Sequence, residues 1–180
     1  MIEDEPSGND RPPYSYVPGG PWPHPISDPN GHSSGHRAGL VPPIVADAWS
    51  RSPAYLTGIA LFNDGYYWEA HEVWEGLWHA HGRRGPTADL LKALIKLAAA
   101  GVKVREGQPA GVTTHAGRAS ALIAAVAEAV GPSLLGLDLP KLAAIATEIA
   151  ERPPTDASGR DAAVAVVFAF RLEPSDVRPG

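Results

Sequence analysis

Cysteine does not occur in this chain, which excludes disulfides, thiolate catalysis and cysteine-ligated zinc or iron–sulfur centres. Long apolar runs are missing as well. The stretch from Leu90 to Val104 is broken by Lys92, Lys96, Gly101 and Lys103, so it cannot serve as a membrane span. The first residues, Met1-Ile2-Glu3-Asp4-Glu5, lack the basic start and apolar stretch of a secretory signal. The expectation is a cytoplasmic protein without a membrane partner. Basic charge is scarce: 15 Lys and Arg stand against 20 Asp and Glu, a net charge of −5. Between Trp49 and Ala150, nine acidic residues balance nine basic ones, which leaves no basic face for nucleic acid. Gly82 and Gly85 lack the strand context and spacing of a nucleotide-binding loop.

Proline and glycine, by contrast, are plentiful at 19 residues each. They crowd the stretch from Met1 to about Asp47, which shows almost no apolar periodicity and carries six acidic against two basic residues. Such a composition predicts a disordered leader over 1–47. A helical domain over 48–152 and a partly ordered C-terminal tail over 153–180 follow it. The abundance of Ala, Gly, Pro and Arg fits a GC-rich bacterial genome and carries no functional weight.

Helix punctuation is legible in the middle. A first helix is expected from about Pro53 to Phe62, stopped by Asn63-Asp64-Gly65, residues suited to turns. The second runs from about Tyr66 to His81 and ends at Gly82. The third opens at Pro86-Thr87, with Thr87 as cap, and reaches about Gly107. Pro109 suits the first turn of a fourth, which ends before Gly131-Pro132. Asp138 and Pro140 open a fifth that closes near Glu151. Five helices with short connections predict an all-α fold, a compact antiparallel array. The third is the expected central helix: Leu90, Leu91, Leu94, Ile95, Leu97, Ala98, Gly101 and Val102 make a continuous apolar surface, and Ala98 and Gly101 are small enough for a close crossing. Lys92, Lys96 and Lys103 share its other side, within roughly 40° of one another. From Ala162 to Leu172, bulky Val164, Val166, Phe168, Phe170 and Leu172 alternate with small residues, which reads as a strand in a short extended tail, although the alanines also permit a helix. It has three fates: pairing with a second copy as a homo-oligomer contact, lying extended in a groove, or forming a short terminal helix.

The chemistry concentrates in Tyr66 to His81, which holds three of the five tryptophans and three of the seven histidines. On a helical wheel Trp68, His71, Glu72, Glu75 and His79 fall on one face, with Ala70, Val73, Trp74 and Leu77 on the other. The run Leu61-Phe62-Asn63-Asp64-Gly65-Tyr66-Tyr67-Trp68-Glu69-Ala70-His71-Glu72-Val73-Trp74-Glu75-Gly76-Leu77-Trp78 resembles the signature of domain-of-unknown-function family 309, small and mainly bacterial helical proteins. Leu91 to Ala100 and Arg105 to Gly111 extend the likeness, which covers about Tyr55 to Val130. The family typically has Gln where Lys96 stands, an aromatic–His pair near Val102-Lys103, and Asn at Gln108. The resemblance implies an all-helical fold and importance for His71, Glu72, Glu75 and Trp78, and it brings no established activity.

Several readings of that face compete. His71-Glu72 resembles half of a zincin helix, but Glu75 stands where the second histidine would be. His71, Glu75 and His79 at i, i+4 and i+8 offer pairs of ligands for a divalent metal, with Glu72 or His115 completing the sphere. Alternatively, Glu72 or Glu75 beside aromatic rings acts as a general acid or base with His71, in a hydrolase-like enzyme where Lys96 or Arg105 stabilises a leaving group. The bland alternative pairs Glu69, Glu72 and Glu75 with Lys92, Lys96 and Lys103 in a structural charge lattice. Finally, the Gly-Tyr-Tyr-Trp-Glu-Ala pattern resembles one tetratricopeptide helix pair, as in a helical interaction module, although no regular repeat is visible. The candidate ligand or polar-cluster residues are thus His71, Glu72, Glu75, Trp78, Lys96 and His115, with the cofactor unassigned and a divalent metal as one candidate, a small-molecule ligand of unassigned identity, and no reaction named.

Overall fold

The computed structural model describes residues 11–36 and 39–176. It contains five α-helices: α1 (Pro53–Asn63), α2 (Tyr67–Ala80), α3 (Pro86–Arg105), α4 (Pro109–Val130) and α5 (Leu139–Glu151). A 3-10 turn at Ala46–Arg51 precedes them, and a two-rung antiparallel hairpin, β1 (Ser133–Leu134) with β2 (Leu137–Asp138), links α4 to α5. Each helix packs on the next in sequence, as the short connections require.

The helix ends follow local chemistry. Ser52 caps α1, its side chain accepting from the Tyr55 N–H, with Pro53 in the first turn. Asp138 does the same for α5 by accepting from Lys141 N–H. The start of α3 differs from expectation: the helix begins at Pro86, the preceding Gly85 has φ of 90°, and no side chain caps it. Proline in the first turn has no N–H that needs an acceptor, and with Pro86 as the first helical residue Thr87 is inside the helix rather than its cap. Between α1 and α2, Gly65 has φ of 88°, and a Cβ there would lie 2.6 Å from the Ala165 carbonyl oxygen. Glycine is therefore required twice, by the turn and by the tail that crosses it.

The core is continuous. Trp74, Leu77, Leu91, Leu94, Ile95 and Ala98 belong to one buried cluster, and α3 contributes most of its length to it. Gly101 allows the close crossing foreseen for α3, because its backbone lies against the Tyr67 ring of α2. Among the described residues no helix is long and apolar enough to cross a membrane.

The tail lies extended across α1 and α2, the second of its three expected fates; it is neither strand nor helix. Phe168 and Leu172 are buried, Val166 is exposed, and Phe168 stacks on Phe62 at 5.8 Å. Its backbone groups find side-chain partners in place of a second strand. Asn63 accepts from Leu172 N–H at 2.7 Å and donates to Leu172 O at 2.8 Å, while Val167 N–H donates to the Tyr67 hydroxyl at 2.9 Å.

The expectation of a disordered leader over 1–47 needs correction within the described residues. Residues 11–36 fold back over the start of α2: Tyr14 and Val17 are buried, Tyr14 stacks on Trp22 at 5.3 Å, and Ser15 N–H donates to Ala163 O. Arg11 pairs with Asp64, and the Tyr66 hydroxyl donates to Pro12 O. Further on, Ile44 joins the core and its N–H donates to His81 Nε2 at 2.9 Å. A segment without apolar period is still held when a few aromatic and aliphatic anchors insert between turns, a pattern that average composition does not register. Residues 1–10 lie outside the described residues.

Candidate functional site

α2 turns Tyr67, Ala70, Trp74 and Leu77 into the core. This puts Glu69 on one shoulder of the buried arc and His71 on the other, each roughly 100° from Ala70. The two shoulders have different fates. Glu69 is 6% exposed and accepts hydrogen bonds from Ser15 Oγ at 2.8 Å, Tyr16 N–H at 2.9 Å and His32 Nε2 at 3.1 Å. A buried carboxylate persists only with such donors. Next to it, Tyr16 and His24 of the leader pack edge-on against Trp68 at 5.5 Å and 5.4 Å. The leader thus covers Trp68 and Glu69 in the first turn of α2, whereas His71, Glu72 and Glu75 are half-buried in the turns that follow.

His71, Glu72 and Glu75 each bring one ligand-type atom to a spot where all three lie within 4.8 Å of one another. Within it, His71 Nδ1 and Glu72 Oε1 are 3.3 Å apart. His79 does not join them; it is exposed near the end of α2, with its ring edge-on to Trp78 at 5.3 Å. The trio of His71, Glu75 and His79 read from spacing is therefore replaced, in this arrangement, by His71, Glu72 and Glu75. Eight residues of helix place His79 two turns away from His71, too far for one ion to span. Trp78 is half-buried and carries Arg83 and Lys92 over its ring at 5.6 Å and 6.0 Å. That makes it a cation–π platform beside the trio.

His115 enters from α4. Burial holds its imidazole below the ordinary value, and the charges of Lys96, Lys103, Arg118 and His71 lower it further. Lys96 and His71 are thus among the charges that act on it. His115 stays neutral near pH 7, and its Nδ1 is buried without a hydrogen-bond partner among the described residues.

The charge lattice drawn from sequence does not form among the described residues. No ion pair joins Glu69, Glu72 or Glu75 to Lys92, Lys96 or Lys103: Lys103 pairs with Glu106 at 2.6 Å, Lys92 rests on Trp78, and Glu69 takes His32. Arg105 also leaves the site. It is 1% exposed, donating through Nε to Gly159 O at 2.8 Å and through Nη2 to Ala162 O. It clamps the tail to the end of α3 and is not available to a leaving group at α2. Neither role was foreseen. For Glu69 a signal existed in its position on the edge of the apolar arc. For Arg105 there was none, because its partners are backbone carbonyls that any sequence offers.

Residues 55–114 match the family model described as Domain of unknown function (DUF309). The match takes in α1, α2, α3 and the start of α4. It thus includes His71, Glu72, Glu75, Trp78 and Lys96, and it stops one residue before His115. No curated protein is matched by the chain.

Proposed function

We propose that the DUF309 segment of this helical protein carries a divalent-cation site, with His71, Glu72 and Glu75 as its protein ligands. The observation that supports it is the convergence of one imidazole and two carboxylates within 4.8 Å, with no lysine or arginine paired to either carboxylate among the described residues. Two carboxylates left without a cation on a half-buried face repel each other, and a divalent ion relieves that repulsion. One imidazole nitrogen suits zinc and two carboxylate oxygens suit zinc or manganese, with water in the remaining positions because the face is open. A bound ion supplies Lewis acidity and a water of lowered pKa.

A hydrolase-like acid–base role is the second reading. His115 favours it, being neutral, unpartnered and in the field of Lys96. A neutral imidazole accepts a proton, and the nearby cations Lys96 and Arg118 attract an anionic substrate. The cytoplasmic location expected from the sequence stays part of this proposal.

The test is equilibrium dialysis of zinc and manganese against tag-free protein previously stripped with chelator. One equivalent bound by wild type, with the loss of most of that binding in Glu75→Gln, is the expected outcome. No stoichiometric uptake of either ion would remove the site.

A further inference from the structure

We infer that the junction of the α3 end, the Gly19 turn and the tail at 156–161 is a second binding site, one that takes a small oxyanion, the phosphate or carboxylate group of a metabolite. It is separate from the α2 face and independent of the metal reading. A cavity of about 370 Å³ opens there, lined by Gly19, Arg105, Glu106, Gly107, Asp156 and Arg160 among others.

The hydrogen-bond inventory points to the ligand. Arg105 is 1% exposed and uses Nε and Nη2 on tail carbonyls, yet its Nη1 has no hydrogen-bond partner among the described residues. Arg160 donates through Nη2 to Glu106 O at 3.0 Å, and its Nε is likewise unpartnered. Two acceptors in the same place, Glu106 Oε2 and Asp156 Oδ2, also lack a well-oriented hydrogen bond, but each faces a cation. Lys103 Nζ lies 2.6 Å from the first and Arg105 Nε lies 3.4 Å from the second. The acids are charge-compensated, and the surplus at this junction consists of guanidinium N–H groups. Single N–H groups left without an acceptor on two neighbouring guanidiniums are matched by an oxyanion, which takes one charge-assisted bond from each arginine.

Shape agrees with this. Gly107 and Gly159 have φ of 68° and 53°, and a Cβ built on either would meet nothing within 4 Å. The space beside the arginines is therefore open, and small motions of Arg105 and Arg160 bring Nη1 and Nε to a guest. Two terms oppose an anion: the carbonyl end of α3 and Asp161 at the exposed rim. Both are partly screened by solvent, and they limit affinity to the order of millimolar. Because Arg105 belongs to α3 and Arg160 to the tail, a bound oxyanion bridges the two and fastens the tail with the Gly19 turn that lies on it. A ligand that binds only the folded state raises stability in proportion to its occupancy.

The experiment is a titration of the whole protein, followed by amide chemical shifts, with inorganic phosphate in one arm and acetate in the other, at ionic strength held constant with chloride. Saturable shifts at 19–20, 105–107 and 156–161, weakened about tenfold in Arg160→Gln as expected for one lost charge-assisted bond, support the site. Saturation by phosphate alone assigns a phosphate group, and saturation by both assigns oxyanions in general. Arg160→Gln is preferred because it removes one bond between the tail and α3, to Glu106 O, whereas a change at Arg105 removes two. Absence of saturation in both arms up to tens of millimolar, or wild-type affinity in the Arg160 variant, overturns the proposal.

Discussion

Glu69, His71 and Glu72 lie within four residues on one helix, and burial alone separates their roles. Each step along α2 rotates a side chain by about 100°, so Glu69 meets the leader while Glu72 meets His71. Glu69 is consequently a fastening group. Glu69→Ala leaves the Ser15 hydroxyl and the Tyr16 N–H without their acceptor, at a cost of about 1–3 kcal/mol for each group that stays buried. Urea denaturation should show that loss, and limited proteolysis should cut the leader before residue 36 sooner than in wild type. A leader as resistant as wild type in this variant would mean that Tyr14 and Val17 hold it unaided.

At the level of elements, the pairing of α2 with α3 depends on Gly101. A Cβ at that position would lie 2.6–2.9 Å from three atoms of the Tyr67 ring, closer than packed atoms tolerate. Gly101→Ala gains helix propensity of about 1 kcal/mol but overpacks the crossing at about 1–3 kcal/mol. A net fall in thermal midpoint is expected by calorimetry, and a rise would show that Tyr67 moves aside freely. Much of this architecture was legible in the sequence, because periodicity, proline at first turns and glycine at stops are local signals. Five helices and the small residue at the crossing could be read from them. The tail and leader could not. Their order rests on long-range partners, such as Asn63 with Leu172 and Glu69 with Ser15, whose sequence separation leaves no local pattern. The hairpin between α4 and α5 escaped notice for a different reason: two residues per strand are too short for alternation to show. For the site, wheel geometry put His71, Glu72 and Glu75 on one face, and it put His79 there too, which lies exposed two turns beyond His71.

For the molecule as a whole, the folded chain holds two histidines in the neutral form. Burial lowers the pKa of His81 from 6.5, and its Nε2 accepts the Ile44 N–H. His115 is lowered by burial and neighbouring cations. A depressed histidine pKa means that the unfolded chain takes up protons first, so stability is retained above about pH 6.5 and falls as the pH drops below it. Metal-free protein should therefore lose thermal stability on acidification from pH 7 towards pH 5, and His81→Gln should flatten part of that slope. An unchanged slope in His81→Gln would assign the effect to other groups.

The central claim is that the His71, Glu72 and Glu75 face binds rather than merely packs. Its most direct test measures unfolding free energy and divalent-metal affinity on the same Glu72→Gln variant, using tag-free, chelator-stripped protein and calorimetric titration with zinc. Glu72 is half-buried with His71 Nδ1, 3.3 Å away, as its one hydrogen-bond partner among the described residues, so its loss should change stability by less than about 1 kcal/mol. The account predicts a saturable wild-type site whose affinity falls at least about tenfold in the variant, with the fold intact. Equal affinity in variant and wild type, or a destabilised variant with no metal binding in either, would contradict it.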